Sequence, residues 1–152
     1  MPVIIRDGKF VEDHFLENGG GFIQLDQLSL STHGLEADKT GVDVPNDTNP
    51  EELAGLMNSV AAIRIPFPSF ADGRGFSIAQ KLRRMGFNGL LRAKGNVLAD
   101  QYPLALRSGF DEVEIPSEQA GRQPQIQWIE ALDRVNANYL DRLKGASVEK
   151  AA

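Results

Sequence analysis

Apolar and polar residues alternate at the start of the chain in a pattern typical of a β-hairpin. Two short runs, residues 4–6 and 9–11, flank an Asp-Gly pair, which suits a two-residue turn with positive φ at both central positions. Residues 22–25 predict a further strand, whereas residues 26–40 show no clear periodicity. This part of the chain is therefore predicted to form a hairpin followed by an irregular segment.

From residue 41 onward the pattern becomes a regular alternation of apolar runs and amphipathic segments. The apolar runs predict strands, and the recurrence of apolar residues every three to four positions predicts helices. Strands that alternate with helices at this interval imply parallel βαβ units. The predicted strands cover residues 41–44, 61–65, 90–93 and 112–115. The predicted helices begin at Asn49, Ser77, near Ala99 and at Pro124.

Capping residues mark the boundaries of these helices. Asn49 suits an N-cap, and the apolar residues that follow it are spaced to form one helical face. Ser77 and Gln80 fit a capping box that would start the second helix at Ser77. Gly86 and Gly109 stand where the second and third helices are expected to stop.

The last predicted helix carries the single tryptophan of the chain. It runs from Pro124 to about residue 143, with a stripe of apolar residues along one side. We interpret this stripe as core or as a surface for a partner. Residues 145–152 are small and polar and are predicted to form a flexible tail. The stripe consists of Trp128, Leu132, Val135 and Tyr139.

Together these elements predict an α/β fold with a small, mostly parallel sheet built from about four βα units. The hairpin precedes the sheet and the long helix follows it. Four such units are compatible with an open doubly wound sheet or with half of a (β/α) barrel, and both place sites at the carboxyl ends of the strands. We predict one α/β domain over residues 1–144, with the hairpin and irregular segment in 1–40 and the βα core and C-terminal helix in 41–144.

Composition excludes several classes of function. The 152 residues carry a formal net charge of −5, which argues against general binding to nucleic acid or to an anionic membrane. The chain contains no cysteine, which excludes thiol nucleophiles and all-cysteine iron–sulfur ligation, and its two histidines do not favour a zinc site. It has neither a secretory signal nor a run of about 18 apolar residues. We therefore expect a cytoplasmic protein without a metal site.

The most informative segment connects the second strand of the βα core to its helix. It contains Asp72, Gly73, Arg74 and Gly75, with Ser77 following. The glycines let the backbone present N–H groups, a helix start attracts anions, and Arg74 adds a forked cation. Asp72 and Arg74 are the candidate catalytic residues, and Gly73, Gly75 and Ser77 are candidate ligand-binding residues. The alternative is a structural turn in which Asp72 pairs with Arg74 or accepts backbone N–H groups.

A second candidate segment continues from the next strand, at the same predicted edge of the sheet. Arg92 lies within an apolar strand, where an unpaired charge is unfavourable, so we expect a carboxylate partner, Asp72 or Asp100. One interpretation is a buried ion pair that fixes two loops together. The other is a basic pocket for a small anion, formed by Arg74, Arg92 and Lys94. The candidate ligand-binding residues of this segment are Arg92, Lys94, Asp100 and Gln101.

Both segments resemble a bacterial family of unknown function. The similarity is carried by FPxFxDGRGFS at residues 67–77, its most specific part, and by LRAxGxVLxDQ at residues 91–101. Shorter matches lie at residues 5–11, 41–53 and 109–114. Members of this family are often described as oxidoreductases of sulfite reduction. The resemblance implies an association with assimilatory sulfate reduction, typically beside the gene for a sirohaem sulfite reductase.

The residues themselves carry no redox signature. There is no cysteine, and Ile78 stands where a dinucleotide fingerprint would have its third glycine. We therefore expect an accessory protein that assists the reductase in electron delivery, cofactor loading or assembly, and we assign no cofactor. The alternative is a small-molecule α/β enzyme or binding domain that recognises a phosphate-, sulfite- or carboxylate-bearing ligand at residues 72–75. A third possibility is a partner domain that docks through the Trp128 stripe.

Overall fold

The computed structural model describes residues 1–28 and 36–135, and a seven-stranded sheet lies at its centre. The strands are β1 (Val3–Arg6), β2 (Lys9–Val11), β3 (Gly21–Gln24), β4 (Thr40–Asp43), β5 (Ala62–Phe67), β6 (Leu90–Gly95) and β7 (Glu112–Ile115). The helices are α1 (His14–Glu17), α2 (Leu25–Leu28), α3 (Arg74–Arg84), α4 (Tyr102–Ser108) and α5 (Ser117–Arg122). A further helical run, residues 125–135, reaches the end of the described chain. Short 3₁₀ helices occupy Ala37–Lys39, Pro50–Leu53 and Ala99–Gln101.

The order of the strands distinguishes between the two predicted architectures. Across the sheet the order is β2-β1-β7-β6-β5-β4-β3. The strands from β3 to β7 are parallel and follow one another in chain order, whereas a doubly wound sheet reverses its order at a switch point. The parallel part therefore has the strand order of half a (β/α) barrel. The predicted α/β class with an N-terminal hairpin is confirmed.

The hairpin adds two antiparallel strands to this parallel part. β1 pairs with β2 on one side and with β7 on the other. Asp7 has φ 54° and Gly8 has φ 80°, as the predicted two-residue turn requires. The Gly8 amide donates to the Tyr102 hydroxyl at 3.0 Å, which ties the turn to α4.

The two faces of the sheet differ in chemical character. Ile63, Ile65 and Phe67 alternate along β5 and belong to the buried core, which α3 and α4 complete. The intervening position Arg64 pairs in register with Arg92 of β6, so both lie on the opposite face. One face is thus a packed apolar core, and the other carries charged side chains.

The helix predicted from Asn49 is replaced by a 3₁₀ helix, Pro50–Leu53, followed by turns at 54–59. Asn49 does cap the segment, because its side chain accepts from the Glu51 amide at 3.1 Å. The predicted apolar face is also partly realised, since Leu53 is fully buried. Gly55 and the polar residues after it have low helix propensity. The residues before Gly55 form too short a segment to sustain an α-helix on their own.

The second predicted helix begins earlier than its capping box suggested. α3 starts at Arg74 with Gly73 as its N-cap, so Ser77 is an exposed residue inside the helix. The Asp72 carboxylate accepts from the Arg74 amide at 3.2 Å, which satisfies one of the free amides of the first turn. Gly86 has φ 100° after the helix end, as expected of a glycine stop.

The remaining helices partly follow the predictions. The 3₁₀ helix Ala99–Gln101 leads directly into α4, which ends at Gly109 with φ 112°. α5 has no counterpart among the predicted elements, because its six residues carry no apolar periodicity. The final helical run starts at residue 125, close to the predicted start. Its continuation to residue 143, Tyr139 and the tail 145–152 lie outside the described residues.

Trp128 belongs to the core rather than to a partner surface. Its side chain is fully buried, and its ring meets that of Tyr102 at 5.4 Å in an edge-on arrangement. The indole N–H donates to the Gln123 carbonyl at 2.9 Å, so the polar atom of this buried ring is satisfied. The helical run is therefore anchored on α4 through Trp128.

Candidate functional site

A buried network of ion pairs occupies the charged face of the sheet. Arg92 is fully buried at its centre. Its guanidinium donates five hydrogen bonds, of 2.8 to 3.2 Å, to the carboxylates of Asp13, Glu112 and Glu114. A guanidinium has five N–H groups, so every donor of Arg92 is occupied.

A second arginine extends this network toward β4. Arg64 donates to both carboxylate oxygens of Asp43 and, at 3.1 Å, to Glu114. Its guanidinium also lies 4.0 Å from the centre of the Phe22 ring, a cation–π distance. Because Glu114 is shared by Arg64 and Arg92, charges from β4 to β7 are joined in one network.

Arg92 therefore has partners other than those expected. Asp72 and Asp100 were predicted, but Asp13, Glu112 and Glu114 take their place. Burial opposes the charge on Arg92, but the hydrogen bonds to Asp13 and Glu112 outweigh it and hold its pKa above the usual value. The geometry favours a scaffold interpretation for Arg92, which has no N–H group left for an added anion.

The Asp72–Arg74 pair lies at the surface, at the start of α3. Nε and Nη2 of Arg74 donate to the two carboxylate oxygens of Asp72 at 3.0 and 2.8 Å. The Asn46 side-chain amide donates to the same carboxylate at 2.7 Å, which links this loop to the loop after β4. The predicted structural turn is present here, because Asp72 both pairs with Arg74 and accepts its amide. Whether the pair also has a catalytic role stays a prediction.

The titration of Asp72 should report this pairing. The hydrogen bond from Arg74 is the main cause that lowers the pKa of Asp72 from 3.8 to about 2. Because the folded-state pKa is the lower one, the stabilisation is complete above pH 3.8 and is lost as the pH falls through about 2. Carboxyl-detected NMR should give a midpoint near 2 in the wild type, shifted back toward 3.8 in Arg74→Ala. An unchanged midpoint in the variant would exclude Arg74 as the cause.

The two glycines of this loop have different structural roles. Gly73 has φ −89° and is exposed, a conformation open to other residues. Gly75 is buried in the first turn of α3, where an added Cβ would lie 2.5 Å from the Phe67 ring and 3.1 Å from Ile65. Gly75 therefore permits close packing of α3 on β5, which accounts for this glycine without a ligand.

Alanine substitutions at these two positions form a matched pair. We expect Gly75→Ala to lower the free energy of unfolding by about 1–3 kcal/mol through overpacking. Gly73→Ala should cost less, about 0.5 kcal/mol from the weaker N-cap, because the nearest atom to its Cβ would be a Phe76 ring carbon at 3.7 Å. Urea unfolding of both variants measures the difference. Equal losses in the two variants would show that the helix does not pack as closely as described.

A cleft opens at the carboxyl ends of β4, β5 and β6, where the strand topology predicts a site. Its volume is about 390 Å³. Lys94 comes from β6, and Asp43 and Gln24 come from β4 and β3. Three prolines form much of the remaining wall, namely Pro45, Pro66 and Pro68. Of the predicted ligand-binding residues, Lys94 is the one that lines this cleft.

Lys94 lines this cleft and carries an accessible ammonium group. Its side chain is 50% exposed, and its Nζ lies 3.9 Å from the Glu114 carboxylate. That separation exceeds hydrogen-bond distance, so the N–H groups of Lys94 remain accessible. Lys94 also borders a smaller cavity of about 160 Å³, shared with Glu114 and Pro116.

The floor of the cleft is fixed by backbone hydrogen bonds. Gly95 ends β6 with φ 120°, and an added Cβ would lie 2.6 Å from the Phe67 carbonyl oxygen. The Asn96 amide donates to the same oxygen at 2.9 Å, and its side-chain nitrogen donates to the Phe67 and Pro68 carbonyls at 3.3 and 2.8 Å. These bonds hold the end of β5 against the end of β6.

Asp100 and Gln101 lie apart from Lys94, near the start of α4. Asp100 is exposed and accepts from Arg134 at 3.3 Å. The Gln101 side chain accepts from the Leu98 amide at 3.0 Å and donates to the Phe70 carbonyl at 2.8 Å. Gln101 therefore joins the two predicted segments to each other, which is a structural contact.

Several residues of the charged face and the cleft were not predicted from the sequence. A signal did exist for the network, because Arg64, Glu112 and Glu114 interrupt otherwise apolar strands. A weaker signal existed for the cleft, where prolines stand at or just after strand ends. The missed cleft residues are Gln24, Asp43, Val44, Pro45, Pro66, Phe67, Pro68, Gly95 and Asn96.

Residues 41–147 match a family described as a bacterial protein of unknown function, DUF934. That match spans more than half of the chain. The chain belongs to the DUF934 family. This confirms the bacterial family of unknown function that the motifs indicated, and the family description names no activity. No curated protein and no solved structure matches the chain.

The family match includes both predicted segments and all of the cleft lining except Gln24, and it begins after the hairpin and Asp13. Within residues 1–28 and 36–135 of this family member, no helix is long and apolar enough to cross a membrane. The same residues contain no cluster of three or more histidine or acidic side chains arranged for a metal ion.

Proposed function

We propose that this DUF934 protein is a small-molecule binding domain that takes an anionic ligand in the cleft at the carboxyl ends of β4, β5 and β6. The observation that carries this proposal is the position of Lys94. It brings an accessible cation to a cleft of about 390 Å³, within the size range of small-ligand sites. Parallel α/β sheets commonly bind their ligands at this end.

The other predicted cations support this assignment, because their N–H groups already donate to carboxylates outside the cleft. Arg92 has all five donors on carboxylates, and Arg74 holds Asp72 with two. Asp43 also lines the cleft, but Arg64 binds both of its oxygens and so offsets its charge. We therefore place the anionic group of the ligand at Lys94 rather than at residues 72–75.

Thermal unfolding with a panel of anions tests this proposal. The panel contains phosphate, sulfate, sulfite, acetate and benzoate, each compared with chloride at equal ionic strength. A ligand at about ten times its Kd should raise the Tm by about 3–5 °C through mass action. We expect at least one anion to give this shift in the wild type and none to give it in Lys94→Gln.

Lys81 provides the matched control for Lys94. Its side chain is 47% exposed and its Nζ lies 3.7 Å from Glu51, so it has nearly the same exposure and pairing outside the cleft. Lys81→Gln should keep the full shift. Nonspecific stabilisation by salts acts on all variants alike, so a shift that persists in Lys94→Gln would contradict a site at Lys94.

A second proposal concerns the pathway and rests on the family resemblance. We propose that the chain is a cytoplasmic accessory protein of sulfite reduction, which assists a sirohaem sulfite reductase in electron delivery, cofactor loading or assembly. The lack of cysteine supports a role in which the reductase holds the redox centre. An anionic sulfur metabolite in the Lys94 cleft would make the two proposals compatible.

Deletion of the gene in its host tests the pathway proposal. We expect growth on sulfide and on cysteine, but not on sulfate or sulfite, because the defect would lie between sulfite and sulfide. Co-purification with the reductase should accompany this phenotype. Normal growth on all four sulfur sources, together with no co-purification, would contradict the accessory role and leave the anion-binding proposal standing.

A further inference from the structure

The chemistry of the cleft wall indicates the class of ligand more narrowly. We infer that the cleft takes an organic monoanion, a carboxylate or sulfonate on a cyclic apolar body, rather than an inorganic oxyanion. This inference rests on the proposed function. It specifies what that function recognises.

The size of the cleft exceeds what an inorganic oxyanion fills. Its volume is about 390 Å³, whereas one water molecule takes about 30 Å³ of liquid volume. A tetrahedral oxyanion has the volume of roughly two or three water molecules on that scale. Most of the cleft would remain solvent-filled around such an ion, whereas a ring attached to the anionic group would contact the walls.

Apart from Lys94 and the Gln24 side-chain amide, the cleft offers few hydrogen-bond donors for an oxyanion. Pro45, Pro66 and Pro68 have no backbone N–H. The Asn96 side-chain nitrogen and backbone amide already donate to the carbonyls of β5 and its following residue. Inorganic oxyanions are usually held by several convergent N–H groups. One lysine therefore provides the main charged contact, which suits a ligand with a single anionic group.

The prolines also form a surface suited to a ring. Pro45 follows β4, Pro66 lies within β5 and Pro68 follows β5. A proline ring is apolar and its backbone φ is fixed, so these walls lose little conformational entropy when a ligand binds. A flat or alicyclic body packed against them would bury apolar surface from both partners.

Asp43 further restricts the charge of the ligand. Its carboxylate lies in the same cleft as Lys94. Although Arg64 binds both of its oxygens, a second anionic group near Asp43 would meet a carboxylate rather than a donor. The cleft therefore disfavours a dianion that extends from Lys94 toward β4.

Ligand-observed NMR titration of the full chain tests this inference with four probes. Benzoate carries one carboxylate on a ring, acetate carries the same group without a ring, terephthalate carries two carboxylates at opposite ends of a ring, and sulfate is the inorganic anion. We expect a Kd for benzoate about tenfold lower than that for acetate or sulfate. Terephthalate should bind more weakly than benzoate, because its second carboxylate would extend toward Asp43.

The Pro68→Ser variant separates the ring contact from the anion contact. It should reduce the preference for benzoate over acetate and leave acetate binding unchanged. Pro45→Ser should act in the same direction and provides a second test if Pro68→Ser does not fold. Lys94→Gln should weaken binding of benzoate and acetate alike.

The outcomes distinguish this inference from the proposed function. If sulfate or acetate binds as tightly as benzoate in a Lys94-dependent way, the inference is wrong and the anion site stands. If no probe binds in a Lys94-dependent way and the thermal panel gives no such shift, the proposed function is wrong as well. Benzoate binding that persists in Lys94→Gln would overturn the inference, because the ring would then bind without the anion contact.

Discussion

Arg92→Ala is expected to lower the free energy of unfolding by about 3–5 kcal/mol, because removal of one partner leaves buried charges without compensation. Glu112 and Glu114 are each 4% exposed, and Arg92 holds both of them together with Asp13. Urea unfolding followed by circular dichroism measures the loss.

Arg74→Ala is the matched control for this prediction. It removes the same type of side chain from an ion pair of similar geometry. Arg74, however, is 59% exposed, and exposed ion pairs contribute little to the free energy of unfolding. Arg92→Lys should fall between the two, because an ammonium has three donors where Arg92 uses five. If Arg92→Ala and Arg74→Ala destabilise the protein equally, the buried network does not have the structural role described here.

Trp128→Ala is expected to cost about 3–5 kcal/mol, as is usual for a large aromatic removed from a core. Trp128 is fully buried against Tyr102, and it anchors the helical run at residues 125–135 to α4. Leu132, on the same run, lies over the hairpin turn at Gly8. We therefore expect the loss of Trp128 to loosen the contact with the hairpin too, which hydrogen exchange at the Gly8 amide would report.

Ile126→Ala provides the control within the same helical run. Ile126 is 56% exposed, so its truncation should change the free energy of unfolding by a few tenths of a kcal/mol. The free energy of unfolding of Trp128→Phe should lie between those of these two variants, since phenylalanine keeps an aromatic ring but loses the hydrogen bond to Gln123. A Trp128→Ala variant no less stable than Ile126→Ala would mean that the run does not dock on α4.

Much of the fold could be predicted because its signals are local. The Asp-Gly pair specified the hairpin turn, and Gly86 and Gly109 marked two helix ends by their need for positive φ. β7 was predicted to the residue, since its apolar positions alternate with acids between a turn and a proline. Where propensity was weak, as around Gly55, the predicted helix was replaced by turns.

The partners of Arg92 could not be predicted because they are not local. Its need for a carboxylate was evident from the apolar strand around it. Asp13, however, is 79 residues away in sequence, and its position depends on how the hairpin joins the sheet beside β7. Glu112 and Glu114 become neighbours through the register of β6 against β7. A single sequence contains no direct signal for that register.

The sequence predicted a site at the edge of the sheet where the cleft lies, and whether this cleft binds a ligand stays a prediction. The expectation that a site lies at the carboxyl ends of the strands agrees with the cleft, and Lys94 was among the predicted residues. The walls were missed because prolines near strand ends ordinarily indicate only where a strand stops. The motif around Asp72 and Arg74 made them candidate catalytic residues. The hydrogen bonds between their side chains give the motif a structural explanation.

Chemical-shift mapping of the backbone amides tests the ligand site most directly. Benzoate and sulfate would each be titrated into ¹⁵N-labelled wild type, Lys94→Gln and Lys81→Gln. With benzoate we predict saturable shifts at Lys94, Gly95 and Asn96 in the wild type and in Lys81→Gln, and their loss in Lys94→Gln; sulfate should need a higher concentration to produce them. Shifts centred instead on Gly73 and Arg74, or none that saturate, would contradict an anion site in the cleft.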